Sequence, residues 1–304
     1  MTAPVFRPLA AALWMSGSIA SFSAMAVAGR QVSTIHDTFE IMMWRSLVGL
    51  VLVVAGFSAL GRLREVRTDR LGSHVVRNLF HFAGQNLWFW ALALIPLAQV
   101  FAIEFTSPLW VILLAALFLG ERLTRMRVLA AALGFAGILI VARPDFGALE
   151  PGVIAAALSA ICFAATTVLT KALTRGESIV SILFWLTAMQ LVLGAAFAGW
   201  DGQMAVPTAD TLPWLAVIGV AGLCAHLCLT TALSLAPAGF VVTVDFARLP
   251  VIALVGWLVF DESVAPAVFA GAGLILAGIL LNLRAATPAR APQSQDDETV
   301  TRRQ

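Results

Sequence analysis

The stretch VFAIEFTSPLW, residues 100 to 110, sets a carboxylate, Glu104, and a proline, Pro108, into a run that is apolar on both sides. A charge at the centre of a hydrocarbon core costs about 2.5 to 3.5 kcal/mol on insertion scales, so such a group must face the protein interior and find a partner, water or a ligand. A second stretch of the same kind, VTVDFARLP at 242 to 250, carries Asp245, Arg248 and Pro250. Arg248 follows Asp245 at i+3 on one helical face, where local pairing neutralises both. In MMWRSL, Arg45 sits about seven residues into its apolar run. That is roughly 10 Å at 1.5 Å per residue, the same depth as Glu104 if both runs start from one side.

Shared depth gives two readings of Arg45 and Glu104. One is a structural ion pair between two helices, for which the guanidinium fork is suited. The other has Glu104 take a cation or proton and Arg45 a carboxylate or phosphate-like group. Arg77, His81 and Gln85 recur every four residues, a polar stripe that must face the protein interior or a water-filled cavity. His226 reads as a hydrogen-bonded structural histidine or as part of the same cavity wall. Trp44, beside Arg45, and Trp185 are expected to face the cavity, where indoles stack on flat or cationic solutes. Pro108 and Pro250 each free a carbonyl one turn earlier, close to a carboxylate, which suits a binding site and a hinge. CAHLC at 224 to 228 carries no metal expectation: Cys224 and Cys228 share a face and His226 lies near the opposite one. Neither a metal nor a cofactor is expected.

The elements that hold these groups follow from composition. The chain has 304 residues, 60% hydrophobic and 12% charged, with a mean hydropathy of +0.92, far from a soluble domain. Apolar runs of roughly the 20 residues that cross a bilayer recur, and porin-like alternation does not, so the fold class is an all-α polytopic membrane protein. Nucleic-acid binding has no support. Ten spans are predicted, at 9–29, 38–60, 72–94, 97–119, 123–142, 150–171, 178–199, 212–235, 238–260 and 265–283. The first is read as a retained span, longer than the apolar core of a signal peptide. With the N-terminus inside, 14 of the nineteen Lys and Arg fall in inner segments and two, Arg30 and Arg143, outside. Both termini are then cytoplasmic in a bacterial-type inner membrane. The polar tail 285–304 reads as disordered.

Sliding the chain along itself by 141 residues aligns Pro96 with Pro237, Glu104 with Asp245, Phe105 with Phe246, Glu121 with Glu262 and Trp44 with Trp185. Matched charges and prolines at one constant shift mark an internal repeat, 9–142 and 150–284. Five spans per repeat is an odd number, so the second half is expected to sit inverted, as in alternating-access transporters.

With MMWRSL in the second span, FLGERLTRMR closing the fourth, GFAGILIVARP in the fifth and DFARLP in the ninth, the chain resembles the drug/metabolite transporter superfamily, EamA type. The resemblance covers about residues 9 to 284. It implies a secondary transporter for a small organic metabolite such as an amino acid, a riboflavin-like vitamin or an S-adenosylmethionine-like solute. One departure is Leu186, which stands where Arg45 would map. No Walker A sequence is present. A passive channel is the alternative, and an intramembrane lipid-modifying enzyme a more distant one, since no converging catalytic groups are visible. Expected partners are the solute, the lipid bilayer and protons as a candidate coupling ion, in a monomer that can dimerise.

Overall fold

In a computed structural model of the chain, which describes residues 6–95, 97–121, 124–142, 150–200, 202–260 and 266–286, each long apolar run is helical. No strand occurs among the described residues. The first half holds α1 (Pro8–Val32), α2 (Thr38–Ala59), a 3-10 turn (Leu63–Glu65), α3 (Leu71–Leu94), α4 (Leu97–Glu104), α5 (Ser107–Leu119) and α6 (Arg125–Ala142). The second holds α7 (Pro151–Leu173), α8 (Ile179–Phe197), α9 (Leu212–Leu235), α10 (Ala238–Asp245), α11 (Arg248–Phe260) and α12 (Pro266–Ala286). Pro96, Arg122, Arg143, Glu262 and the tail from 287, which carried parts of the repeat, orientation and disorder expectations, lie outside the described residues.

Among the described residues twelve α-helices stand where ten spans were expected, because the fourth and ninth runs are each broken in two, directly after the carboxylate. Pro108 is the second residue of α5 and Pro250 the third of α11, positions where a missing N–H does no harm to the new helix. In a continuous helix any other residue at these positions would donate its N–H to the carbonyl four residues back, at Glu104 or Phe246, and proline has none to give. Instead the chain tightens by i−3 bonds, from Thr106 N to Ile103 O at 3.0 Å and from Ala247 N to Val244 O at 3.1 Å. The prolines therefore start a second helix rather than kink a continuous one.

The repeat is visible in the element boundaries. Shifted by 141, α3 falls on α9, α4 on α10 and α5 on α11, with 24, 8 and 13 residues in both copies. Caps recur at equivalent positions with different chemistry. Asp37 opens α2 in a capping box with Glu40, and Ser178 opens α8 by accepting from Ser181 N. Packing is also duplicated: α1 lies along α9 as α3 lies along α7, while α2 pairs with α8 and α6 with α12. The α6–α12 seam is backbone on backbone. A Cβ at Gly137 would come 2.5 Å from Gly271 O, and one at its repeat mate Gly278 would come 2.6 Å from Ala130 O.

Among the described residues five helices, α1, α2, α7, α8 and α9, are long and apolar enough to cross a membrane. Outer faces are apolar, with Leu117 and Phe118 at 68% and 75% exposure, while His81, Arg77 and Glu104 are buried. This polar-inside arrangement is what a hydrocarbon surround selects.

Candidate functional site

Glu104 ends α4 and Asp245 ends α10, so each carboxylate stands at the negative end of a helix, where a cation is favoured. Arg248, the first residue of α11, supplies it. Its Nη2 donates to Glu104 Oε1 at 2.8 Å and to Asp245 Oδ2 at 3.0 Å. Trp88 Nε1, from α3, donates to Glu104 Oε2 at 2.7 Å, so both oxygens of Glu104 are engaged. The guanidinium lies 5.0 Å from the Phe105 ring and 5.3 Å from the Phe22 ring, within cation–π range of both. Glu104 is 6% exposed and Arg248 9%, and at such depth charge-assisted bonds are strong.

This cluster lines a central cavity with about 90 Å³ open to water centres, walled by α1, α3, α7, α9 and the two helix breaks. His81 and His226 meet there edge to face, ring centroids 4.8 Å apart. Neither ring has a hydrogen-bond partner for either nitrogen among the described residues, nor has Gln85 Oε1 or Asp245 Oδ1. Phe22 and Phe163 line the same space, with Ser107 and Pro108 at the first break. The arrangement can accept a flat solute between rings, offer imidazole and amide groups to its polar edge, and present a guanidinium held by two carboxylates.

Several expected residues converge here: Glu104, Asp245, Arg248, His81, Gln85, His226 and Pro108 all line the cavity. The expected Asp245–Arg248 pair is present. The ion pair of Glu104 with Arg45, one of the two readings of those residues, is not found among the described residues, because spacing along a helix says nothing about direction around it. Arg45 turns toward α9, where a Cβ on Gly222 would sit 2.5 Å from its Nε. It lines a separate small pocket with Ser46 and Gln190, and its Nε has no partner among the described residues. Glu104 and Asp245, mates at the 141 shift, share one nitrogen of Arg248. Of the α3 stripe, Arg77 leaves the cavity and bonds Thr170 Oγ1 at 3.0 Å. Trp44 and Trp185 are both absent from the cavity wall. Trp185 donates to Arg67 O at 2.7 Å and borders an apolar outer groove, because its anchor is a loop carbonyl rather than a solute. Of the two readings of His226, the cavity wall fits the structure and the hydrogen-bonded histidine does not, since neither of its nitrogens has a partner among the described residues. Pro250 starts α11 without lining the cavity.

Residues that sequence reasoning passed over are Phe22, Phe163, Met15, Met25 and the Trp88–Glu104 bond. Phe22 and Phe163 are repeat mates at the 141 shift, a signal present in the chain but inconspicuous among 19 phenylalanines.

Comparison with known proteins adds an independent line. The EamA-like transporter family matches the chain twice, over residues 9–143 and 150–284. A riboflavin transporter of Brucella anthropi is 32% identical over 276 residues, covering 89% of this chain and 97% of that protein. A riboflavin transporter of Rhizobium johnstonii is 31% identical, covering 91% and 92%. An S-adenosylmethionine uptake transporter of Rickettsia bellii is 26% identical, covering 88% and 91%. One solved crystal structure superposes with a TM-score of 0.76 at 20% identity over 91% of this chain and 97% of its own, a likeness in fold alone.

Proposed function

The chain belongs to the EamA-like transporter family, and from that membership we propose that it carries a flat, uncharged heteroaromatic metabolite of the riboflavin kind through the cavity at Glu104, Asp245 and Arg248. The observation that carries the choice is which polar atoms are left over. Arg248 already holds one oxygen of each carboxylate, so a ligand meets two imidazoles, an amide oxygen, Asp245 Oδ1 and Arg248 Nε between Phe22, Phe105, Phe163 and Trp88. Such a lining pairs with the donor and acceptor edge of a tricyclic ring while its faces stack.

In this reading α4 with α5, and α10 with α11, each make one broken span, which brings the count to ten with both termini cytoplasmic. Discontinuous helices meeting at mid-membrane are a recurrent way to build a transport site, since their free ends recognise polar groups. Two inverted halves then rock about the site, and the breaks at Pro108 and Pro250 act as hinges. A second reading, a cationic solute resembling S-adenosylmethionine, is favoured by one feature. The cluster of Glu104, Asp245 and Arg248 carries a formal charge of −1, and Asp245 Oδ1 is unpartnered.

The test is uptake of radiolabelled riboflavin and of S-adenosylmethionine by liposomes holding the purified chain, with counterflow from preloaded vesicles. Saturable riboflavin uptake with counterflow is expected. S-adenosylmethionine uptake without riboflavin uptake would replace the first reading with the second, and non-saturable flux without counterflow would indicate a pore.

A further inference from the structure

The turn LAPAG, 235–239, joins the C-terminus of α9 to the N-terminus of α10, and it is gripped from both sides. Lys171 Nζ, from α7, donates to Leu233 O at 2.6 Å and to Ala236 O at 2.8 Å. Glu121, just past the end of α5, accepts from Ala238 N at 2.9 Å and from Gly239 N at 3.4 Å. A cation on the last carbonyls of one helix and a carboxylate on the first N–H groups of the next is the placement that helix-end charges favour. Lys171 is buried. Arg7 N, ahead of α1, adds a bond to Leu235 O at 3.0 Å.

Glu121 differs from Lys171 in one respect: it reaches across the repeat boundary, from the first half onto the second. The packing around it is also where the two-fold pattern fails. α10 lies against α5, whereas α4 and α11, the pair that the 141 shift maps onto them, make at most passing contact among the described residues. Among the described residues, α10 and α5 are therefore drawn together more closely than α4 and α11. The eight residues of α10 lead from Glu121's grip directly to Asp245, about 12 Å away at 1.5 Å per residue.

We propose that Glu121 and Lys171 form a latch on the α9–α10 turn that holds this end of the central cavity shut, and that release of Glu121 frees α10 to swing Asp245 and Arg248 toward the other access state. The inference rests on the transporter reading above and adds to it the part that must let go. Shifted by 141, the latch residues map onto Arg30 and Glu262, the second of which is outside the described residues.

The experiment uses the full chain in liposomes, with Cys162, Cys224 and Cys228 replaced and one reporter, Thr167→Cys, placed in the cavity wall. A membrane-impermeant maleimide is applied from either side. Glu121→Gln and Lys171→Met should each shift the ratio of latch-side to opposite-side labelling by roughly tenfold or more, the size expected when a charge-assisted hydrogen bond to one state is lost. The double variant should match the singles, because both groups hold one turn. Lys171→Arg, which keeps the charge and donors, should stay near the starting ratio. Where Glu121→Gln does not fold, Glu121→Asp, with a shorter reach, is measured in its place and should shift the ratio in the same direction. Unchanged labelling from both sides in folded variants overturns the latch. Labelling needs no solute, so a normal shift without riboflavin uptake sinks the substrate reading alone, and riboflavin uptake with no shift sinks the latch alone.

Discussion

α3 and α9 occupy the same register 141 residues apart, but what they turn inward is not the same. At positions where α3 carries Arg77, His81 and Gln85, α9 carries Ile218, Gly222 and His226. One helix brings long polar side chains, and the other brings space, which Arg45 from α2 fills at Gly222. The breaks show the same division. α4–α5 and α10–α11 share their boundaries to the residue, yet Arg248 at the second break corresponds to Ser107 at the first. Duplication thus governs the backbone, while the cavity chemistry departs from it. A rocking mechanism needs two halves that can exchange shapes, and a solute with two unlike ends needs a lining that does not repeat.

The largest expected effect comes from removing the group without a mirror. Arg248→Met leaves Glu104 and Asp245 facing each other in a low-dielectric site, and removing one partner of a buried charge set costs about 3 to 5 kcal/mol. Uptake should fall to the background of empty liposomes, with a lower thermal midpoint in detergent. If Ser107→Arg combined with Arg248→Ser restored uptake, the halves would be chemically interchangeable and the asymmetry argument would be wrong.

Next in size is the contrast between the two carboxylates that the repeat equates. Among the described residues Glu104 has two donors, Trp88 and Arg248, and Asp245 has Arg248 alone, with one oxygen unpartnered. A hydrogen bond to a charged group contributes about 1.5 to 3 kcal/mol, so Glu104→Gln should reduce uptake by roughly 10- to 100-fold and Asp245→Asn by less. Equal losses would place the two in one role. Measured across an imposed pH gradient, normal transport by both variants at every pH would remove either carboxylate as a proton-coupling site.

Much of this was legible in the chain. Long apolar runs, one constant shift and two carboxylates followed by prolines marked the all-helical scaffold and residues of the cavity wall, and i+3 spacing marked the Asp245–Arg248 pair. Two things were hidden. Proline in an apolar run signals a lost hydrogen bond without saying whether the helix bends or restarts, and here it restarts. Spacing along a helix is readable from residue counts, but direction around it depends on packing, so equal spacing from the starts of their runs does not bring Arg45 to Glu104. Glu121 and Lys171 were invisible as partners of the α9–α10 turn because side chains that cap a distant helix end leave no local pattern.

Smaller effects test the spaces between the halves. Gly222→Ala places a methyl against Arg45 Nε and Gly219→Ala places one 2.5 Å from Val48 Cβ, so each should destabilise by about 1 to 3 kcal/mol through overpacking. Gly56→Ala, with nothing within 4 Å of the new Cβ, is the control and should be neutral or slightly stabilising in a helix interior. Chemical-denaturant or thermal unfolding in one detergent ranks the three.

Smallest of all is the difference between the repeat-mate tryptophans. Trp185 Nε1 donates to Arg67 O, whereas Trp44 Nε1 is buried with no partner among the described residues. Losing one ordinary hydrogen bond costs about 0.5 to 1.5 kcal/mol, while replacing a donor that makes none is close to neutral. Trp185→Phe should therefore lower the unfolding midpoint more than Trp44→Phe. Since neither ring lines the cavity, both variants should keep the starting KM for the transported solute. A raised KM in Trp44→Phe alone would mean that α2 reaches the solute during the cycle, and the asymmetry between the halves would then extend from the cavity wall to the helices behind it.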